Sequence, residues 1–124
     1  MNKTVFVLLF GFLSLSATQW HSYEEALELQ KKSSKLIMID FVREHCHYCE
    51  DMDKGVFEDK EMSRWLDKRF IAVKINLDKD VVPEGVKVMM TPTFYFFNTK
   101  KEIVKKIPGS WNIEDFKSLT KDLK

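Results

Sequence analysis

Two cysteines stand three positions apart in the run Cys46-His47-Tyr48-Cys49, and the chain has no others. Thiols at this spacing can close a small ring and reopen it, so that one attacks a disulfide and the other resolves the mixed disulfide that forms. Stapling explains the pair poorly, because the chain entropy removed by a bridge grows with the loop it closes and this loop is minimal. Cys46 is the expected attacking thiol. At a helix start it gains from the positive end of the dipole, and from His47 when that ring is protonated. Glu44, Glu50 and Asp51 oppose the thiolate by raising the cost of a second negative charge. Asp40, a lone carboxyl in an apolar run, is a candidate proton acceptor for Cys49: burial beneath the dithiol would raise its pKa toward neutrality. The bland alternative is a carboxylate facing solvent at a strand end. A second chemistry for the same thiols is Cu(I) or Zn(II) binding with His45 or His47. A closed zinc site wants four ligands, so no metal or other cofactor is expected. Covalent haem requires His after the second Cys, and Glu50 stands there.

Such a pair must be held by elements legible in the surrounding pattern. Leu36 to Val42 is a compact apolar, β-branched run that reads as a buried strand. The acidic stretch from Glu50 suits a helix beginning at the Cys pair, which places the dithiol on a strand-to-helix turn. Gly55 should end or kink that helix, and Asp59 should cap a second segment carrying Met62, Trp65 and Leu66 on one face. Ser22-x-x-Glu25 is a capping box opening a helix to about Lys32. Phe70 to Leu77 and Thr93 to Phe97 read as strands, with Glu102 to Ile107 as the hairpin partner of the latter. Asn112 opens a final helix with Phe116, Leu119 and Leu123 on one face. Trp111 is balanced between core packing and a groove near Pro92, and His21 has no partner that the sequence names. The elements suggest a mixed sheet covered by helices.

A chain of 124 residues with 44% hydrophobic and 31% charged content is one packed domain. Lys3, the apolar run Val5 to Leu15 and the small residues Ser16 and Ala17 form a signal-peptide pattern. The run is about half of the ~20 residues a spanning helix needs. The expected division is therefore a cleaved leader over 1–17 and a single domain over 18–124, in a periplasmic or otherwise exported protein. An uncleaved anchor is the alternative. The leader takes with it only one charged residue, Lys3, of the 20 basic and 19 acidic ones, so the remaining domain is balanced. A balanced chain offers no electrostatic case for nucleic acid or an anionic membrane as partner.

At this point the residues resemble the thioredoxin family. The stretch Ile39-Asp40-Phe41-Val42-Arg43-Glu44-His45-Cys46-His47-Tyr48-Cys49 is similar to the family's strand, buried Asp and active-site motif. Ala72-Val73-Lys74-Ile75-Asn76-Leu77-Asp78 resembles its next core strand, with Lys74 where members often carry a Lys close to the Asp. Thr91-Pro92-Thr93 looks like its cis-proline loop, and Gly109 matches a family Gly near the final helix. The resemblance spans roughly Leu36 to Leu123. It implies an α/β thioredoxin fold, a central mixed sheet flanked by helices in a single domain, with Thr91, Pro92 and Tyr48 contacting the substrate chain beside the dithiol. It departs at His45, where members usually carry an aromatic, often Trp, before the first Cys.

Two subtypes compete in the motif. Val56-Phe57-Glu58-Asp59 is similar to exported thioredoxin-like reductases of the DsbD C-terminal-domain type, whereas Tyr48 and Thr91 resemble bacterial disulfide isomerases. The expectation is a monomeric reductase that exchanges its dithiol with protein disulfides. It would be recharged by an upstream thiol donor, with a membrane electron-transfer protein as one candidate. A disulfide oxidase or isomerase is the alternative, and a redox-inert binding module stands further off.

Overall fold

The structure is a computed structural model that describes residues 17–124. The leader read from the N-terminal pattern lies, up to residue 16, outside the described residues. Among those described, no helix is long and apolar enough to cross a membrane.

Five strands form one sheet: β1 (Trp20–His21), β2 (Leu36–Val42), β3 (Phe70–Asn76), β4 (Thr93–Phe97) and β5 (Ile103–Pro108), in the spatial order β1-β3-β2-β4-β5. β1, β3 and β2 run parallel, and β4 and β5 run antiparallel to their neighbours, so the sheet is mixed. β2 is central and buried at all seven positions, as its apolar run, broken only by Asp40, predicts for a strand covered on both faces. Alternation divides its side chains. Ile37, Ile39 and Phe41 pack with Ala26 of helix α1 (Tyr23–Ser33). Leu36 and Met38 face the other side, against α2 (His47–Met52), α3 (Lys60–Arg69) and α4 (Ile113–Thr120). An aromatic cluster fills that second layer: Phe57 lies 5.9 Å from Phe94 and 6.1 Å from Phe116, and Phe94 lies 4.9 Å from Phe116. Edge-on contacts of this kind add to what area burial contributes.

The helix starts are where the cap residues place them. Ser22, Asp59 and Asn112 each accept the backbone N–H three residues on. His21, unpartnered in the sequence reading, pairs with Glu25 at 3.5 Å, which turns the acidic half of the capping box toward the preceding residue. Between α2 and α3 the chain makes a π-helical turn over Asp53–Phe57, with Gly55 inside it. The expected interruption at Gly55 is thus a widened turn. It swings Val56 and Phe57 into the core, where both are buried. Trp65 packs partly buried against the same layer, and Phe94, Tyr95, Phe96 and Phe97 are all buried in β4.

β1 has no counterpart in the sequence reading. Two residues are too few to show a period of two, and β1 is a strand only because β3 offers it an edge.

Candidate active site

The dithiol sits where β2 gives way to α2. Cys46 is the N-cap of α2, and its sulfur accepts the N–H of Cys49 at 3.2 Å, taking the place that Ser or Asp fills at ordinary helix starts. The residue before it, His45, has φ +53, a left-handed conformation that His tolerates better than bulkier or branched residues. That turn aims the Cys pair out of the end of the sheet. The two sulfurs are bridged, with Cα atoms 5.2 Å apart. Their exposure differs: Cys46 is half-buried and Cys49 only 5% exposed.

Thr91 and Pro92 come from far along the chain to the same place. The Thr91–Pro92 peptide bond is cis, and the Thr91 hydroxyl donates to Cys46 Sγ at 3.4 Å. The Pro92 carbonyl accepts the N–H of Gly109 at 2.8 Å, and Gly109 holds φ +92 there, a conformation that glycine adopts without steric cost. Beside this joint lies an open cleft of about 460 Å³ lined by Tyr48, Asp51, Met90, Thr91, Gly109 and Ser110. Of its lining, Tyr48 and Met90 are 63% and 52% exposed, so the cleft presents uncovered apolar side chains. Trp111 takes an intermediate position. It is 37% exposed, its backbone N–H reaches Met52 Sδ, and its indole N–H donates to the Pro108 carbonyl.

The acidic residues expected to oppose a thiolate are largely matched. Asp51 pairs with His47 at 3.4 Å, and Glu44 with Lys79 at 2.6 Å. His47 itself is well exposed at the first position of α2, with its ring edge-on to Tyr48.

Asp40 is the exceptional group. It is fully buried, which removes the reading as a solvent-facing carboxylate, and neither carboxyl oxygen has a hydrogen-bond partner among the described residues. Loss of hydration raises its pKa to about 8, with the nearby Lys74 pulling it down and Asp53 pushing it up. Its cross-strand neighbour in β3 is Lys74, as the motif implies, but the Lys74 ammonium bonds Asp53 at 2.6 Å instead. Asp53 is the residue that sequence reasoning missed. Nothing in its local pattern distinguishes it from a solvated acidic position on α2. No group of three or more His, Cys, Asp or Glu able to hold a metal occurs among the described residues.

A family model described as a thioredoxin-like domain matches residues 23–124. The chain belongs to that family. It is 32% identical to human spermatogenesis-associated protein 20 over 73 residues, a match covering 58% of this chain and only 9% of that protein. Thioredoxin-1 of Drosophila yakuba is 31% identical over 87 residues, covering 69% of this chain and 74% of that one. Among solved structures, a thioredoxin from Thermus thermophilus superimposes with a TM-score of 0.69 at 33% identity, covering 83% of this chain and 84% of that one. The fold is therefore the α/β thioredoxin fold in a single domain. In that fold the chain carries a bridged Cys-X-X-Cys pair, and it spans only about a tenth of the length of the first of these relatives. Such a pair has the capacity to exchange disulfides with protein substrates.

Proposed function

We propose that this protein is a thiol–disulfide oxidoreductase, an exported reductase in which Cys46 attacks and Cys49 resolves. The unequal exposure of the two cysteines carries the assignment: Cys46 is half-buried where Cys49 is buried, and among the described residues only the Cys46 sulfur has a hydroxyl donor aimed at it. In the reduced protein the Cys46 thiolate attacks one sulfur of a substrate disulfide, and the other leaves as a thiolate that takes up a proton. Cys49 then loses its proton and attacks Cys46 Sγ. This closes the Cys46–Cys49 bridge and releases the second substrate thiol, so two electrons pass to the substrate.

Asp40 is the acceptor of the Cys49 proton in this scheme. With its pKa raised to about 8, Asp40 is a far stronger base than an ordinary carboxylate, which suits it to take up a thiol proton. When an upstream thiol donor reopens the bridge, the same carboxyl returns the proton to Cys49. His47, at the start of α2, adds positive charge near Cys46 when protonated, and Thr91 supplies the donor. The cis-Pro92 joint and Tyr48 border the cleft that receives the substrate chain.

The export reading rests on Lys3 and the apolar run Val5 to Leu15, and the reductase subtype on the resemblance of Val56-Phe57-Glu58-Asp59. Cys49→Ser should accumulate mixed disulfides through Cys46, and Cys46→Ser should abolish insulin reduction. Mixed disulfides recovered through Cys49 in the Cys46 variant would reverse the roles. A reduction potential near −270 mV in glutathione buffers supports a reductase, whereas a value near −120 mV, about 7 kcal/mol away, makes the protein an oxidant.

A further inference from the structure

The carboxyl that the proposed mechanism uses stands beside an ammonium group that does not bond it. Asp40 and Lys74 are register partners on β2 and β3, where a direct ion pair would be the simplest outcome. Both Asp40 oxygens are nevertheless without a partner among the described residues, and Lys74 Nζ lies 2.6 Å from Asp53 Oδ1. Its other neighbour is aromatic: the Trp20 ring centroid is 4.4 Å from Nζ, close enough for a cation–π contact.

Each jaw of this clamp is fixed from elsewhere. Asp53 opens the π-helical turn, the widened segment that breaks the helix running from the dithiol. Trp20 lies on β1 opposite Ala72, with its ring edge-on to Phe57 at 5.0 Å. The strap that carries it is tied down by Thr18, whose N–H donates to the Phe57 carbonyl at 3.0 Å and whose hydroxyl meets Ser63 at 3.1 Å. One core residue, Phe57, thus supports the Trp20 jaw and belongs to the same turn as the Asp53 jaw.

We propose that Asp53 and Trp20 are positioning residues of the dithiol site, which hold the Lys74 ammonium away from Asp40 so that the Asp40 carboxyl stays unbonded and available for proton traffic. This inference rests on the role given to Asp40 above and adds what sets its proton affinity. Facing Asp40 are Lys74 from β3 and Asp53 from the π-turn, while β4 presents the apolar Phe94; the Trp20 ring of β1 lies against the Lys74 ammonium. The bridged cysteines of α2 do not titrate. Lys74 also borders a wider cleft with Glu24, Asp80 and Glu84, but among the described residues only Asp53 forms an ion pair with it. The two acids therefore compete for one cation, and the partly exposed Asp53 wins because it bonds Lys74 without desolvating it further.

The test is a carboxyl NMR titration of ¹³C-labelled, oxidised protein, with the Asp40 resonance assigned by its loss in Asp40→Asn. In Asp53→Asn, Lys74 is left to Asp40, and the Asp40 midpoint should fall by about one pH unit or more. Asp53→Glu should restore it, Trp20→Leu should lower it less, and Lys74→Met should raise it. A purely structural role for Asp53 would change stability without this ordered set of shifts. An Asp40 midpoint unchanged or raised in Asp53→Asn overturns the proposal, as does a midpoint unmoved in Lys74→Met. If the midpoint falls while the pH profile of disulfide exchange stays fixed, the clamp stands and the role of Asp40 toward Cys49 fails.

Discussion

Replacing Asp40 with Asn keeps the shape of the side chain and removes its titration, so the difference between the two proteins isolates one buried proton. Asp40 titrates at about 8 when folded, against an ordinary value of 3.8 taken for the unfolded chain. Below 3.8 both states hold the proton and burial carries no ionisation penalty. Between 3.8 and about 8 the unfolded chain releases a proton that the folded protein keeps, so each pH unit destabilises the fold by about 1.4 kcal/mol. The accumulated penalty is about 4 kcal/mol at pH 7 and levels off near 6 kcal/mol above pH 8. That is a large share of the ~5–15 kcal/mol by which domains are stable. The Asn amide has its own unmet hydrogen bonds, which cost about 1–3 kcal/mol, but that term does not vary with pH. The slope is therefore the observable. In urea unfolding of the oxidised proteins, the stability advantage of Asp40→Asn should grow by about 3–4 kcal/mol from pH 5 to pH 8. A difference that stays flat over this range would mean that Asp40 ionises when folded as readily as when unfolded. The buried proton, and the mechanism built on it, would then be wrong.

Thr91→Val removes the hydroxyl that donates to Cys46 Sγ, and should raise the Cys46 thiol midpoint in the reduced protein by up to about one pH unit. Thiolate absorbance against pH reads this directly, and an unchanged midpoint would show that the hydroxyl does not serve the sulfur. Gly109→Ala meets no crowding, since the added Cβ would lie 3.9 Å from its nearest neighbour, the Trp111 ring nitrogen. Its cost comes from φ +92 alone and should be about 1–2 kcal/mol in denaturant midpoint, so a neutral substitution would refute the backbone argument.

Much of this architecture was legible because it is local. The apolar run of β2, broken only by Asp40, announced a central strand, since only a strand covered on both faces can dispense with alternation. The caps at Ser22, Asp59 and Asn112 announced helix starts, because the bonds they make span three residues. The Cys46–Cys49 spacing announced its chemistry for the same reason: a ring closed within one helical turn needs no distant partner.

What the linear pattern left open depends on groups that meet across the sheet. Whether Asp40 was buried or solvent-facing followed only once β2 was flanked by β3 and β4, because burial is a property of the neighbours. The destination of Lys74 was likewise undetermined. Its register partner is Asp40, but the competing Asp53 lies 21 positions away and the Trp20 ring comes from an edge strand too short to carry a period. Sequence by itself thus determined which two sulfurs form the bridge. The tertiary structure decided the proton affinity of Asp40, since a carboxyl's affinity depends on its burial and on which cation the fold brings within bonding distance and which it holds away.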